Sequence, residues 1–234
     1  MKSIATLIAV VLFAAADGGA QNSGGGPSVP SSQQVNAIYP EIEKLYVDLH
    51  RNPELGFQEQ RTAAELAERA KALGYNVTTG IGGTGIVAIL ENGPGPTAML
   101  RTELDALPLE ENTGLPFAST AKSKNAAGET VPVAHACGHD LHMSAWVGTA
   151  ELMARNREHW HGTLMLVGQP AEEIGSGAAA MLKDGLFTRF PKPNYALSLH
   201  DDPNMAAGVV GYHAGFFRAS ADTAPCRRRR SIPL

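Results

Sequence analysis

The segment Thr163–Gly168 is continuously apolar and stands between two segments with the periodicity of helices. Leu141–Arg155 precedes it, and Gly177–Asp184 follows it and ends at Gly185. A strand this apolar is typical of a sheet that is covered on both faces. Because helical and strand-like segments also alternate along the rest of the chain, the sequence predicts an α/β fold with a sheet between two layers of helices.

The remaining elements follow from apolar spacing and from the Gly and Pro residues between them. An amphipathic helix is predicted over Val35–His50, in which Pro40 marks the first helical position and the residues before it are only loosely helical. A second helix is predicted over Phe57–Leu73, with Gly74 as its cap. Strands are predicted over Val77–Thr79, Gly85–Leu90, Thr97–Glu103 and, as a buried strand, Tyr195–Leu199, followed by a final pair over Val209–His213 and Phe216–Ala221.

Composition limits the class of protein. The 234 residues are 44% hydrophobic, which is enough for one core. The net charge is −4, and without Arg227–Arg230 fifteen basic residues face 23 acidic ones, a balance of −8. A chain body this acidic excludes a general nucleic-acid surface. The two cysteines, Cys137 and Cys226, are too few for a disulfide framework.

The amino terminus has the pattern of a secretory signal. Lys2 precedes the apolar run Ile4–Ala16, and small residues follow as far as Ala20. The run is too short to span a bilayer well. We therefore expect a signal peptide over residues 1–20, a flexible linker over residues 21–34, a secreted or periplasmic protein, and no membrane contact after cleavage. A buried terminal helix or a retained anchor is the alternative.

Polar residues follow the predicted strands, where sites form in α/β sheets. They are Asp105, the segment His135–His142, Glu172, Glu173 and His200. Three histidines and a cysteine within eight residues have the composition of a metal site, suited to Zn, Mn, Co or Ni, and with added carboxylates to two ions. The alternative is a set of core histidines beside a buried thiol.

The paired carboxylates suggest two different roles. One of Glu172 and Glu173 can bind a metal ion, while the other accepts a proton from a water as general base. His200 is a candidate third ligand beside Glu173 and Cys137. Asp105 is a candidate to orient an imidazole or, alternatively, to cap a helix.

Five motifs, taken in order, resemble the amidohydrolase branch of the aminoacylase, hippurate hydrolase and carboxypeptidase G superfamily of metallopeptidases. This branch includes N-acyl-amino-acid and indoleacetyl-amino-acid amidohydrolases. The resemblance runs from about Ile38 to Asp222. Its motifs are Leu49–Glu59, Leu100–Pro108, His135–His142, Gln169–Glu173 and Leu199–His200.

The resemblance implies a three-layer, zinc-exopeptidase-like catalytic domain over residues 35–222 that hydrolyses the amide bond of N-acyl amino acids. Glu172 corresponds to the family's general base, and Asp105 to an aspartate that supports the site. Glu103 departs from the family pattern, because many members have Asp there. The residues that resemble ligands of two divalent ions (Zn, Mn, Co or Ni) are Cys137, His139, Glu173 and His200.

Members of this family continue into an inserted lid, which is often the dimer contact, and later supply one more ligand histidine. Residues 223–234 form a basic tail without family character. We therefore expect an incomplete catalytic domain, truncated at its carboxyl end, that is weakly active or inactive by itself and dimerises only where the lid is present. A genuine short variant, a metallo-carboxypeptidase acting on short peptides and a non-catalytic metal-binding remnant are the alternatives.

Overall fold

The computed structural model describes residues 30–206 and 208–211. Its helices are α1 (Ser32–Arg51), α2 (Gln60–Ala72), α3 (His139–Arg155), α4 (Gly177–Lys183) and α5 (Leu186–Arg189), with a 3₁₀ turn over Arg157–His159. Its strands are β1 (Asn76–Ile81), β2 (Gly85–Asn92), β3 (Thr97–Glu103), β4 (Lys122–Lys124), β5 (Thr130–Pro132), β6 (Gly162–Gln169) and β7 (Tyr195–Ser198). Among the described helices, none is long and apolar enough to cross a bilayer.

The main sheet is mixed and has the strand order β1-β2-β6-β3-β7, while β4 and β5 form a separate hairpin. β2 is antiparallel to both β1 and β6, whereas β3 is parallel to β6 and β7. Glu103, the last residue of β3, therefore lies opposite Gln169, the last residue of β6. The segments that follow β3, β6 and β7 all leave the same edge of the sheet.

Alternate residues of the strands pack into two cores. Ile86 and Leu166 face α1, α2 and α3 on one side of the sheet. Val87 and Met165 face the other side, where they pack with Met181 of α4 and with residues of α5. Both faces of β6 are covered, which explains its continuous apolar sequence. The predicted three-layer arrangement is confirmed.

Helix α1 begins earlier than predicted. It starts at Ser32, so the last residues assigned to the linker over 21–34 belong to the helix. Ser31 and Gln34 form a reciprocal capping box: the Gln34 N–H donates to Ser31 Oγ at 3.2 Å, and the Ser31 N–H donates to Gln34 Oε1 at 2.8 Å. Pro40 lies inside the helix on an exposed position, and the prediction that it marks the first helical residue is wrong.

Two further predictions on secondary structure need correction, and one hairpin was missed. Helix α2 begins at Gln60, because Phe57 has a φ of 63° and cannot belong to a right-handed helix. The strand over Tyr195–Leu199 is not buried: within the described residues β7 pairs only with β3, and Tyr195 is 46% exposed. The β4–β5 hairpin is too short and polar to have been recognised in the sequence.

Some predicted segments are outside the part of the chain that the structure describes. Residues 209–211 of the predicted strand Val209–His213 are described, and they form no strand. The rest of that strand, the strand over Phe216–Ala221, the signal peptide over residues 1–20 and the basic tail over residues 223–234 lie outside the described residues.

Candidate metal centre

His139 is the first residue of α3 and is almost completely buried. Its Nδ1–H donates to the backbone carbonyl of Asp105 at 2.8 Å. Because Nδ1 holds the proton, the neutral imidazole carries its lone pair on Nε2. A hydrogen bond of this kind fixes the tautomer and the ring orientation of a metal-binding histidine.

The free nitrogen of His139 points at two carboxylates. Its Nε2 lies 3.8 Å from Oε2 of Glu172 and 3.8 Å from Oε1 of Glu173. Nε2 of His139 and Oε1 of Glu173 are buried, and neither has a hydrogen-bond partner among the described residues. Two ligand atoms that each lie about 2.0–2.2 Å from one ion are separated by roughly 3–4 Å. The donor atoms therefore fit a bound metal ion and do not satisfy each other.

Cys137 and His200 add two donors to the same space. The Cys137 sulfur lies 3.4 Å from Nε2 of His200. His200 resembles His139 in that its Nδ1–H donates to a backbone carbonyl, that of Asp201, at 2.8 Å, so the lone pair of Nε2 is directed at the Cys137 sulfur. The donor atoms of Cys137, His139 and His200 lie within 4.8 Å of one another, as do those of His139, Glu172 and Glu173. His139 belongs to both groups.

Asp105 links the two sides of the site through three contacts. Besides its carbonyl bond to His139, its Oδ2 accepts the backbone N–H of Glu173 at 2.9 Å. Its Oδ1 lies 3.6 Å from Nδ1 of His139 and has no hydrogen-bond partner among the described residues. The cap of α3 is Gly138, so the alternative that Asp105 caps a helix is wrong.

The two adjacent glutamates differ in exposure. The Glu172 side chain is 37% exposed, whereas the Glu173 side chain is 16% exposed. Glu173 is therefore held against the buried donors, and Glu172 lies where water and a substrate have access. This is the division of roles that a metal ligand beside a general base requires.

Without a metal ion, the pKa values of the Cys137 thiol, the Glu173 carboxyl and the His139 imidazole are all raised. Burial together with the charge of Glu173 raises the pKa of the Cys137 thiol to about 12. Burial also raises the pKa of Glu173 itself. Burial alone would lower the pKa of His139, but the hydrogen bond with Asp105 and the charge of Glu103 raise it to about 9. A bound divalent ion reverses this situation, because it favours the thiolate, the carboxylate and the neutral imidazole.

A second layer of polar residues supports His200, and in it His142, which the sequence places among the candidate metal-site histidines, acts as a hydrogen-bond partner. The Asp201 N–H donates to Nε2 of His142 at 3.0 Å, and Nδ1 of His142 lies 3.1 Å from Oε2 of Glu103. Burial would raise the pKa of Glu103, but the hydrogen bond with His142 and the charge of Arg101 lower it to about 2. The signal for His142 was its spacing of three residues from His139, which places both on one helix face.

Comparison with known sequences gives this cluster a family. The sequence model of peptidase family M20/M25/M40 matches residues 99–229, more than half of the chain and the whole of the cluster. The chain belongs to peptidase family M20/M25/M40. The expected family relationship is thereby confirmed, and the segment Leu49–Glu59 lies before the matched region.

This M20/M25/M40 chain is similar to several curated relatives. It is 40% identical to the hippurate hydrolase of Campylobacter jejuni, over 81% of this chain and 47% of the relative. It is 37% identical to an N-acetyl-L-cysteine deacetylase of Bacillus subtilis, over 74% of this chain and 39% of the relative. The chain thus spans about half the length of the curated relatives it matches.

The fold is also similar to a solved structure of the family. The YxeP protein of Bacillus subtilis, described as a dinuclear metal-binding peptidase of the M20 family, superposes with a TM-score of 0.63 at 32% identity. The match covers 72% of this chain and 44% of that structure.

Proposed function

We propose that the chain is part of the catalytic domain of a metal-dependent amidohydrolase that cleaves the amide bond of N-acyl amino acids. The observation that carries the proposal is the buried, unpartnered Nε2 of His139, which faces the carboxylates of Glu172 and Glu173 beside the Cys137 thiol. The names of the hippurate hydrolase and deacetylase relatives support the choice of substrate class.

In this proposal four residues hold two divalent ions. Thiolate, imidazole and carboxylate together suit Zn, Mn, Co or Ni. When bound, the ions supply Lewis acidity, which polarises the scissile carbonyl and lowers the pKa of a water. The proposed ligands are Cys137, His139, Glu173 and His200, whose donor atoms lie within the two groups that share His139.

The proposed role of Glu172 is that of general base. Its Oε2 accepts a proton from the attacking water and then delivers that proton to the amide nitrogen as the carbon–nitrogen bond breaks. Asp105 orients the site, because its carbonyl fixes the tautomer of His139 and its carboxylate holds the backbone of Glu173. The products are the free acid and the free amino acid.

The experiment is a hydrolysis assay on the metal-loaded chain. N-acetyl and N-benzoyl amino acids are compared with short peptides, before and after treatment with a chelator. We expect slow hydrolysis of the N-acyl amino acids that the chelator abolishes and added Zn²⁺, Mn²⁺ or Co²⁺ restores. Hydrolysis that survives complete metal removal would contradict the proposal.

The main alternative is a carboxypeptidase with the same metal centre, which is favoured by 35% identity to thermostable carboxypeptidase 1 of Saccharolobus solfataricus. The carboxypeptidase would be the better assignment if the chain releases carboxyl-terminal residues from peptides faster than it releases amino acids from N-acyl substrates.

Residues 1–20 are proposed to direct export. Sequencing the amino terminus of the mature protein tests this, and a retained Met1 would contradict it.

A further inference from the structure

The loop Leu55–Glu59 contacts two of the chain segments that form the metal centre, the one that contains Asp105 and the one that leads into Glu172. Leu55 forms a bridge with Ala106, the residue after Asp105. A Cβ atom added at Gly56 would lie 3.1 Å from Cα of Ala171 and 3.4 Å from Oδ2 of Asp105. The backbone of the loop is therefore packed directly against the turn that precedes Glu172.

That turn has an unusual backbone. Ala171 is completely buried and has a φ of 49°, in the left-handed region that residues with a Cβ atom rarely occupy. Its carbonyl accepts the N–H groups of Ser176 and Gly177, at 3.2 and 3.1 Å, so the conformation sets the path of the chain as far as α4. A strained residue persists only where its surroundings hold it.

Glu59 holds Ala171 in this conformation through a hydrogen bond. Its carboxylate is completely buried, and Oε1 accepts the N–H of Ala171 at 2.7 Å. The other oxygen, Oε2, accepts the hydroxyl of Thr84. The hydrogen bond from Ala171 to Glu59 joins positions 112 residues apart in the sequence, and Ala171 is the residue directly before Glu172.

The carboxylate of Glu59 is not occupied by its own helix. Glu59 stands at the cap position of α2, yet its side chain makes no capping hydrogen bond there. Glu54 takes that task, because its two oxygens accept the N–H groups of Arg61 and Thr62 at 3.2 and 2.7 Å. Glu59 is thus directed away from α2 and toward the metal centre.

We propose that Glu59 is a positioning residue: by accepting the N–H of Ala171 it holds the left-handed turn that aims Glu172 and Glu173 at the metal centre. The inference rests on the proposed function. The turn is also held at its other end, where the Glu173 N–H donates to Oδ2 of Asp105. Glu59 and Asp105 thus fix the backbone on both sides of Glu172.

The test is the affinity of the 234-residue chain for Co²⁺, measured by competition with a chelating dye. Glu59→Ala is expected to weaken binding by about 10–100-fold, the range typical for partners that orient metal ligands. Glu59→Gln keeps an oxygen for the Ala171 N–H and should bind Co²⁺ like the unchanged chain. Glu54→Ala is the matched control, because it removes a carboxylate directly before the loop that has no contact with Ala171.

Amide hydrogen exchange at Ala171 gives a readout that does not depend on metal. We expect faster exchange in Glu59→Ala and slow exchange in Glu59→Gln and Glu54→Ala. Unchanged Co²⁺ affinity in Glu59→Ala, or an equal loss in Glu54→Ala, would overturn the inference alone. Absence of Co²⁺ binding in the unchanged chain would overturn the proposed function and this inference with it.

If Glu59→Ala fails to fold in the otherwise unchanged chain, the substitution is tested in the Ala171→Gly variant instead. Glycine adopts the left-handed conformation without a steric cost, so Ala171→Gly makes the turn less dependent on its anchor. In that background Glu59→Ala should change Co²⁺ affinity little. A loss of about 10–100-fold there would contradict the proposed hold on the turn.

Discussion

Nε2 of His139 lies 3.8 Å from Oε1 of Glu173, and within the described residues neither buried atom has a hydrogen-bond partner. Two such buried atoms lower the free energy of unfolding, because each has lost its hydrogen bonds to water and has formed none within the protein. A metal ion bound by His139 and Glu173 would give both atoms a partner. The separation is too long for a hydrogen bond and suits two ligands of one ion.

Glu172→Gln should retain the metal and lose turnover. The amide is nearly the same size as the carboxylate but cannot accept the proton of the attacking water. Loss of a general base typically lowers the rate by about 10²–10⁴-fold. The measurement is hydrolysis of an N-acyl amino acid alongside metal content. Full activity with intact metal would assign Glu172 to the solvent-exposed surface only.

Cys137→Ala should lower the metal content more than any other single ligand substitution if the sulfur bridges two ions, because both ions then lose a ligand. The sulfur already lies 3.4 Å from Nε2 of His200. Elemental analysis after dialysis measures the effect. Equal metal content in the variant and the unchanged chain would exclude the bridging role.

His142→Ala should weaken metal binding although His142 is not a proposed ligand. The substitution removes the acceptor of the Asp201 N–H and with it the support of the neighbouring His200. Affinity for Zn²⁺ is expected to fall by about 10–100-fold. Thr149→Ala, which removes a buried side chain from the same helix far from the cluster, is the control. Equal effects of both substitutions would show that only packing was lost.

His50 should make stability depend on pH above neutrality. Its Nδ1 lies 2.6 Å from Asp140 and its Nε2 lies 3.1 Å from Glu111. The hydrogen bond with Asp140 opposes the effect of burial and, with that to Glu111, raises the pKa of His50 to about 9 from 6.5. The folded state therefore binds the proton more tightly than the unfolded state.

This stabilisation is fully present below pH 6.5 and is lost as the pH rises through about 9. Urea unfolding of the metal-free chain between these values should show a decline in the free energy of unfolding that is smaller in His50→Gln, because the contribution of His139, whose pKa is also raised to about 9, remains. Parallel curves for the two proteins would mean that His50 is not protonated in the folded state. Neither His50 nor its partners is a proposed metal ligand, and a chelator added to both proteins removes the contribution of bound metal to the measured stability.

Much of the fold and of the site could be predicted from the sequence. The segments β3 and β6 are bounded by turn residues and contain the apolar residues that the sheet buries. Polar residues follow each of the two segments. Parallel strands bring such residues to one edge, so proximity of Asp105, Glu173 and His200 follows from local patterns and one topological rule.

Other features depend on contacts that no local pattern encodes. The exposed edge position of β7 could not be predicted, because an apolar strand can have the same sequence at an edge as in the middle of a sheet. The bond between Glu59 and Ala171 depends on the left-handed backbone of an alanine, which propensity argues against. The support of Asp201 by His142 likewise joins positions 59 residues apart.

The most direct test of the metal centre is the metal content of the purified chain, the same chain with His139→Ala, and a control with His159→Ala. His139 belongs to both donor groups, whereas His159 is exposed and lies outside them. We predict up to two divalent ions in the unchanged chain and in the control, and a clear loss of metal in His139→Ala. A metal content that is the same with and without His139 would contradict the account.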